Sequence, residues 1–382
     1  MTRSSARVSI APARVNLIGE HTDYTGGLVL PMAIPFFTEA SIAPATDGQY
    51  RFRSERFPGE HVEAPDAPGG RARDWSDYPV GVLREFQKLG LHPAPFTVQL
   101  RGDVPLGSGL SSSASVEVAT AFALLQHLGT QMPPEEIALL CQRAENQFVG
   151  APSGIMDQSV IVFAEEGHAL LLNTRTLEHE SVPMNRGAIA DCAVVVCNSM
   201  VKHSIAAGEY GSRRKELEAG QAVIVETHPG LRDLGDATES DLEDVRSRIS
   251  ANSFKRCRHI ITENARVRLM REALADGDAD KAGELMLVAH ASERDDFECS
   301  VPEVDFLVET AAGIRGCYGA RLTGGGFGGC TVNLVRKDAV ERFTETLRSA
   351  YQSRYRIDAE VFVCAPVDGA LRRAQKATAA GN

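Results

Sequence analysis

Between Arg14 and Tyr24 the chain reads Arg-Val-Asn-Leu-Ile-Gly-Glu-His-Thr-Asp-Tyr, which places Glu20, His21 and Asp23 close behind Gly19. Two carboxylates and an imidazole on one short loop can converge on a polyol, because carboxylates accept hydrogen bonds from hydroxyls and imidazole accepts or donates. A solvated turn ending in a helix cap would use the same residue types. A second segment, Val104-Pro105-Leu106-Gly107-Ser108-Gly109-Leu110-Ser111-Ser112-Ser113-Ala114-Ser115, has the composition of an anion cradle. Its glycines let backbone approach a ligand and aim N–H groups into one cavity. The Ser111, Ser112 and Ser113 hydroxyls add donors for phosphate, or a ligand for a hard cation. The Lys that ends a Walker A loop is missing, so the cradle is of another type. In a third segment, Leu322–Cys330, Gly324, Gly326 and Gly329 satisfy GxGxxG. A dinucleotide fold needs a helix directly after those glycines, whereas Cys330–Val335 reads as a strand. A Gly loop able to close on a ligand, or a wide hairpin turn, remains. Asp157, in Gly154-Ile155-Met156-Asp157-Gln158, could project into a cleft or serve as a turn cap.

The elements that must hold these groups can be read in outline. Thr97–Leu100 alternates as a strand, Val104–Gly109 is a Pro/Gly loop, and Ser112–Leu128 has helical periodicity with Gly129 as its stop. The loop therefore feeds a helix N-terminus, where unpaired N–H groups and the dipole favour an anion. A further helix is expected from Pro133 and Pro134, with Glu135 and Glu136 in its first turn and Gly150 closing it. Its apolar stripe is Ile137, Leu140, Cys141, Ala144 and Phe148, and Glu145 falls at the stripe's edge, neither in the core nor fully solvated. Ser159–Phe163 reads as strand-like. Asn173–Asp191 is mixed in composition between strand-like Ala169–Leu172 and Ala193–Cys197, and we place a domain boundary there, dividing the chain into 1–185 and 186–382. The second half is helical over Asp241–Met270 with interruptions and ends in β-like Thr331–Val335 and Ala359–Cys364. Interleaved strands and helices indicate α+β or α/β, with a helix-covered sheet in the second half.

The 382 residues exceed what one core usually supports, consistent with two domains. A net charge of -11 argues against nonspecific attraction to nucleic acid or anionic membrane, without excluding a local anion site. No apolar run is long enough to span a bilayer, and Met1–Arg7 has no apolar secretory core. The eight cysteines have no regular spacing and are expected to be buried, reduced thiols of a cytoplasmic enzyme.

Taken together, these segments resemble the galactokinase family, within the superfamily that includes homoserine, mevalonate and phosphomevalonate kinases. The match rests on RVNLIGEHTDY, VPLGSGLSSSAS and LTGGGFGGC, with GIMDQ, the HSIAAGEYGSRR segment around Tyr210 and RDWSDYPVGV around Trp75 in family order. The resemblance implies an α+β chain with an S5-like N-terminal domain, a ferredoxin-like C-terminal domain and the site in the cleft between them. It implies ATP phosphates at Gly107, Ser108, Gly109, Leu110, Ser111, Ser112 and Ser113, and Mg²⁺ at Ser113 and Glu145. Trp75 is implied against the adenine, with Ser54 also at the nucleotide. Glu20, His21, Thr22, Asp23 and Tyr210 are implied to bind the sugar, with Asp157 the catalytic carboxylate and Arg14 opposite it. Three departures stand out: Ala13 where the family has Gly, Thr25 where it has Asn, and a start about ten residues ahead of the signature, where relatives carry a helical extension.

The expected reaction is transfer of the ATP γ-phosphate to the anomeric hydroxyl of galactose, with ATP and galactose as small-molecule partners of a monomer. The alternatives are a kinase for N-acetylgalactosamine, a uronic acid or arabinose, and a non-catalytic sugar sensor. The intact Ser111–Ser115 segment argues against the sensor.

Overall fold

The computed structural model describes residues 8–65, 69–202 and 206–380. His203–Ile205 of the HSIAAGEYGSRR segment and Met1–Arg7 lie outside the described residues. The first part of the chain runs β1 (Val8–Asn16), β2 (Leu28–Val29), β3 (Pro31–Pro44), β4 (Tyr50–Ser54), β5 (Glu60–Glu63), α1 (Asp77–Lys88), β6 (Phe96–Gly102), α2 (Ser112–Leu128), α3 (Pro134–Arg143), α4 (Met156–Phe163), β7 (His168–Asn173) and β8 (His179–Pro183). The second runs β9 (Cys192–Lys202), α5 (Ala206–Thr227), α6 (Glu239–Asp244), α7 (Ala251–Asp276), α8 (Ala279–Ser292), α9 (Pro302–Ala312), β10 (Cys317–Thr323), β11 (Gly328–Arg336), α10 (Val340–Tyr355), β12 (Glu360–Cys364) and α11 (Ala370–Ala380).

The first five-stranded sheet has the order β1-β3-β6-β4-β5, antiparallel except where β4 runs parallel to β6. Phe52, Phe96 and Val98 from its strands bury against Phe86 of α1, Val118 of α2 and Val160 of α4. The second sheet, β10-β11-β9-β12, is antiparallel throughout. Strand, helices, hairpin, helix, strand along the chain, with β9 between β11 and β12 in the sheet, is the ferredoxin-like arrangement. A small third sheet pairs β2, β7 and β8. The two halves share apolar core: Leu17 and Ile18 cluster with Val267, Met270 and Val332. Their sheets are also stitched at the strand ends, where Thr323 Oγ1 donates to the Asn16 carbonyl (3.0 Å) and accepts from the Asn16 N–H (3.2 Å). The last helix, α11, returns to pack on β1 and α4.

Helix α2 spans the range that periodicity predicts, and Gly129 ends it at φ 66°. Three expectations need correction. Ser159–Phe163 belongs to helix α4 rather than a strand; a short apolar run does not distinguish a strand from a buried helix. The Pro134 helix is not uniform: α3 stops at Arg143 and a π-helical turn, Ala144–Val149, carries it to Gly150. Because that widened turn rotates its side chains, Glu145 is buried, at 7% exposure, rather than at the stripe's edge. The Asn173–Asp191 connection holds a strand, β8, paired to β7, and a 3₁₀ turn at Gly187–Asp191. Ala13 is fully buried beside a bulge in β1, and Thr25 is buried with its hydroxyl donating to the Thr22 carbonyl (3.0 Å). All eight cysteines are unpaired. No helix among the described residues is long and apolar enough to cross a membrane.

Candidate active site

The glycine-serine loop joins β6 to α2 in a conformation that depends on left-handed backbone: φ is 65° at Gly107, 80° at Gly109 and 61° at Ser111. The first two positions suit glycine, and the strain at Ser111 is the kind that accompanies function. Ser108 is buried with its hydroxyl on the Pro105 carbonyl (2.8 Å), and Leu110 is buried in the shared core. Ser112 and Ser113, in the first turn of α2, line a cavity of about 840 Å³. Ser54 and Trp75 line the same cavity, the Trp75 ring lying nearly parallel to that of Phe57. One site thus combines a helix N-terminus, two hydroxyls and an aromatic wall, which suits a phosphorylated, planar ligand.

At the inner end of this loop Arg14, on β1, makes a two-pronged bond to Asp157, on α4. Nε donates to Oδ1 at 2.6 Å and Nη2 to Oδ2 at 2.9 Å. Arg14 Nη1 also donates to the Gly109 carbonyl (2.6 Å), and the Ser111 hydroxyl donates to Asp157 Oδ2. The planar guanidinium fork fixes the carboxylate beside the loop. Ser111 therefore faces Asp157, while Ser112 and Ser113 face the cavity.

Behind Asp157 lie two more acids. Glu145 accepts from Ser153 Oγ and Gln158 Nε2, both at 2.8 Å, and from the Ser113 hydroxyl. The Gln158 amide also reaches Glu117 Oε2 (3.1 Å), and Glu117 and Gln158 are fully buried. Burial, then the Asp157 charge, raises the Glu145 pKa. Burial, then Glu145, raises that of Glu117 well above the carboxylate range. Among the described residues, Arg14 is the single cation hydrogen-bonded to these three acids.

The sugar-loop candidates surround the far side of Asp157. His21, with φ 64°, stacks on Phe297 at 4.0 Å between centroids, and its Nδ1 meets the Tyr24 hydroxyl at 3.0 Å. Burial holds the imidazole pKa well below its usual value, so it is neutral, and its Nε2 is buried without a hydrogen-bond partner among the described residues. Asp23 rests against Gly154, where an added Cβ would come within 2.0 Å of its carboxylate. Burial, then Asp157 and Glu20, raises the Asp23 pKa to about 7. Tyr210, on α5, lies 5.9 Å from His21 between centroids and bonds to Tyr24; burial, then Asp23, pushes its phenol to about 12. Glu20 is buried, with Oε1 accepting from the Gly324 N–H (2.8 Å). Thr22 is fully buried, its hydroxyl shared between the Gly19 (2.9 Å) and Leu28 (2.7 Å) carbonyls, a geometry that shapes the loop.

The glycine-rich segment forms the turn of the β10–β11 hairpin and lies against the phosphate-type loop: a Cβ on Gly324 would stand 3.4 Å from the Gly109 carbonyl. Sequence reasoning did not single out Glu117, Gly154, Phe297 or Arg321. Glu117 carried a signal, since it follows Ser113 by one helical turn inside an otherwise apolar stretch. The others acquire meaning only through contacts distant in the chain.

Family models match three stretches: the galactokinase galactose-binding signature over residues 2–44, the GHMP kinases N terminal domain over 77–165 and the GHMP kinases C terminal over 270–353. The galactokinase of Roseiflexus sp. (strain RS-1) is 41% identical over 95% of this chain and 92% of its own length. That of Streptomyces coelicolor is 39% identical over 95% and 93%. Lactococcus lactis galactokinase, solved in complex with galactose, superposes with a TM-score of 0.90 at 32% identity, covering 96% of this chain and 95% of that one. The fold extends to Methanococcus jannaschii mevalonate kinase, with a TM-score of 0.70 at 18% identity. The chain belongs to the galactokinase family of ATP-dependent sugar kinases.

Proposed function

We propose that this protein transfers the γ-phosphate of ATP to the C1 hydroxyl of α-D-galactose, with Asp157 and Arg14 as its catalytic residues. The supporting observation is the Arg14–Asp157 pair itself, which touches the phosphate-type loop at Gly109 and Ser111 and borders the Asp23 pocket. Phosphoryl transfer asks a protein chiefly for alignment and charge stabilisation. The Asp157 carboxylate accepts the hydrogen of the anomeric hydroxyl and takes its proton as the C1 oxygen bonds to the γ-phosphorus and the bond from that phosphorus to the bridging oxygen breaks, releasing ADP. Arg14, permanently charged, orients that carboxylate and stabilises charge developing between acceptor and phosphate.

Gly107–Ser113 receive the phosphates, and Trp75 and Ser54 border the nucleoside end of the cavity. Glu20, neutral His21, Asp23 and Tyr210 hold the sugar, Asp23 and Tyr210 reading the axial C4 hydroxyl. Thr22 acts on the sugar through the loop it shapes. The division near residue 185 separates this ATP- and sugar-binding half from the ferredoxin-like half, and the free thiols suit a cytoplasmic setting.

The residues present fit Mg²⁺. Ser113 and Glu145 offer hard oxygen donors, and the three neighbouring acids have one cationic partner among the described residues. Bound there with ATP, Mg²⁺ would neutralise phosphate charge. The test of the reading is a coupled ADP-release assay across galactose, glucose, N-acetylgalactosamine, galacturonic acid and arabinose. Galactose should lead, because a site that bonds an axial hydroxyl leaves polar groups unpaired when that hydroxyl is equatorial. Glucose turnover equal to that of galactose would overturn the assignment.

A further inference from the structure

Beneath the sugar loop lies a second ionic cluster that the reaction does not use. Arg321, on β10, is fully buried and faces three glutamates from three separate segments. Its Nη2 donates to Glu293 Oε1 at 2.8 Å and lies 3.9 Å from Glu263 Oε1; its Nη1 lies 3.5 Å from Glu20 Oε1. Glu263 accepts from the Gly19 N–H (2.8 Å) and from Arg266 Nε (2.6 Å). Glu20 Oε1 also accepts from the Gly324 N–H (2.8 Å), three residues beyond Arg321 on the hairpin turn. One guanidinium thus underlies the start of the sugar loop at two adjacent residues, Gly19 through Glu263 and Glu20 directly, while its own strand leads into the turn that lies on the Gly109 loop.

Burial, relieved only in part by Arg321, raises the Glu293 pKa well above the carboxylate range. Two guanidiniums, Arg266 and Arg321, face the side chains of Glu20, Glu263 and Glu293. At 3.5 Å the Arg321–Glu20 contact is an ion pair short of a hydrogen bond, and Nη1 and Nε have no hydrogen-bond partner among the described residues. The guanidinium therefore has unused donors beside the carboxylate that borders the sugar pocket.

We propose that Arg321 is a positioning residue for galactose: acting through Glu20, it fixes the orientation of the sugar loop without touching the sugar. This rests on the galactose reading above. A residue acting through another contributes little once the intermediary is altered, so a double-mutant cycle isolates the effect. The experiment measures galactose and ATP dissociation constants by calorimetry for the unmodified protein, Arg321→Lys, Glu20→Gln and the double variant. Arg321→Lys keeps the charge but not the planar fork. It is expected to weaken galactose binding roughly tenfold and to leave ATP binding within about twofold. On the Glu20→Gln background the same substitution should add less than about threefold. Equal losses for both ligands, or a full additional loss in the double variant, would overturn the proposal in favour of a purely structural Arg321. A second arm does not depend on the folding of an Arg321 variant. Glu20→Asp keeps the charge and shortens the reach to Arg321 and Gly324. Galactose binding roughly tenfold weaker is expected, and an unchanged constant overturns the proposal. If the unmodified protein binds no galactose, the functional reading fails first and this inference with it.

Discussion

Two clusters of acids stand on either side of the sugar loop, and they are built on opposite plans. Glu117, Glu145 and Asp157 have a single hydrogen-bonded cation among the described residues, Arg14, and the pKa values of Glu117 and Glu145 are raised. Glu20, Glu263 and Glu293 surround fully buried Arg321, with Arg266 beside them; burial opposes ionisation of Glu263, but Arg266 and then Arg321 hold its pKa down to about 2. The first cluster has one hydrogen-bonded cation and reaches the cavity through Ser113, which bonds Glu145; the second sets two buried guanidiniums among its three acids. Excess like charge at a cleft is stability set aside for a ligand to recover, whereas a balanced buried network holds segments in register. The same residue type therefore stands in a cation-poor setting in one place and a cation-paired one in the other.

The largest effect should come from Asp157→Asn, which preserves shape but cannot take a proton. Turnover should fall roughly 10²–10⁴-fold, with melting temperature and ATP affinity nearly unchanged. Near-normal turnover in a stable variant excludes Asp157 as the base.

Glu263→Gln probes the other cluster and should behave inversely. It removes the buried counter-charge of Arg266 and one of the acids facing Arg321, which should cost about 3 kcal/mol of stability in urea unfolding. The sign follows from the depressed pKa: the Glu263 contribution is full above its ordinary range near 4.5 and is lost as pH falls toward about 2. Unchanged stability at neutral pH would erase the contrast.

Glu145→Gln sharpens the comparison from the cleft side. Because the folded pKa of Glu145 is raised, its ionised form opposes folding increasingly as pH rises above its ordinary range near 4.5. The variant should be as stable as the parent at pH 5 and slightly more stable at pH 8, while its rate requires roughly tenfold more Mg²⁺. An unaltered Mg²⁺ dependence removes Glu145 from the metal role.

The smallest expected effect concerns Asp23, whose pKa stands at about 7. As an acceptor of sugar hydroxyls it should bind galactose better as pH rises from 6 to 8, by a few-fold. Ionisation of this crowded group also opposes folding above its ordinary range near 3.8, fully so beyond about 7. Asp23→Asn should therefore gain about 1 kcal/mol at pH 8 and nothing near pH 4. A flat galactose affinity across pH 6 to 8 would show that Asp23 does not hold the sugar as a carboxylate.

What the sequence discloses follows the range of the interactions. Helix α2 and its Gly129 stop depend on neighbours a turn away, and their limits can be read directly. Strand β8, paired at a sheet edge and exposed at two of its five residues, lacks the apolar alternation that would reveal it. A helical wheel assumes one uniform twist through Glu145, whereas the chain passes into a π turn at Ala144. Arg14 and Asp157 are visible as motif residues, but their two-pronged bond joins positions 143 apart. The Arg321 cluster draws on four segments, and nothing local to any of them announces it.

Both clusters also receive a glutamate from a π-helical turn appended to an ordinary helix: Glu145 from Ala144–Val149 after α3, and Glu293 from Glu293–Phe297 after α8. A π turn holds one residue more than the α turn it replaces. These two stretches should therefore be the places where the chain cannot be shortened by one residue, although exposed loops nearby can. Deleting a single residue from Ala144–Val149 would let the helix run on in α geometry and swing Glu145 away from Ser113. Deleting one from Glu293–Phe297 would withdraw the Phe297 ring from beneath His21. Chain length at these two points is itself part of the site, independent of which residues are present.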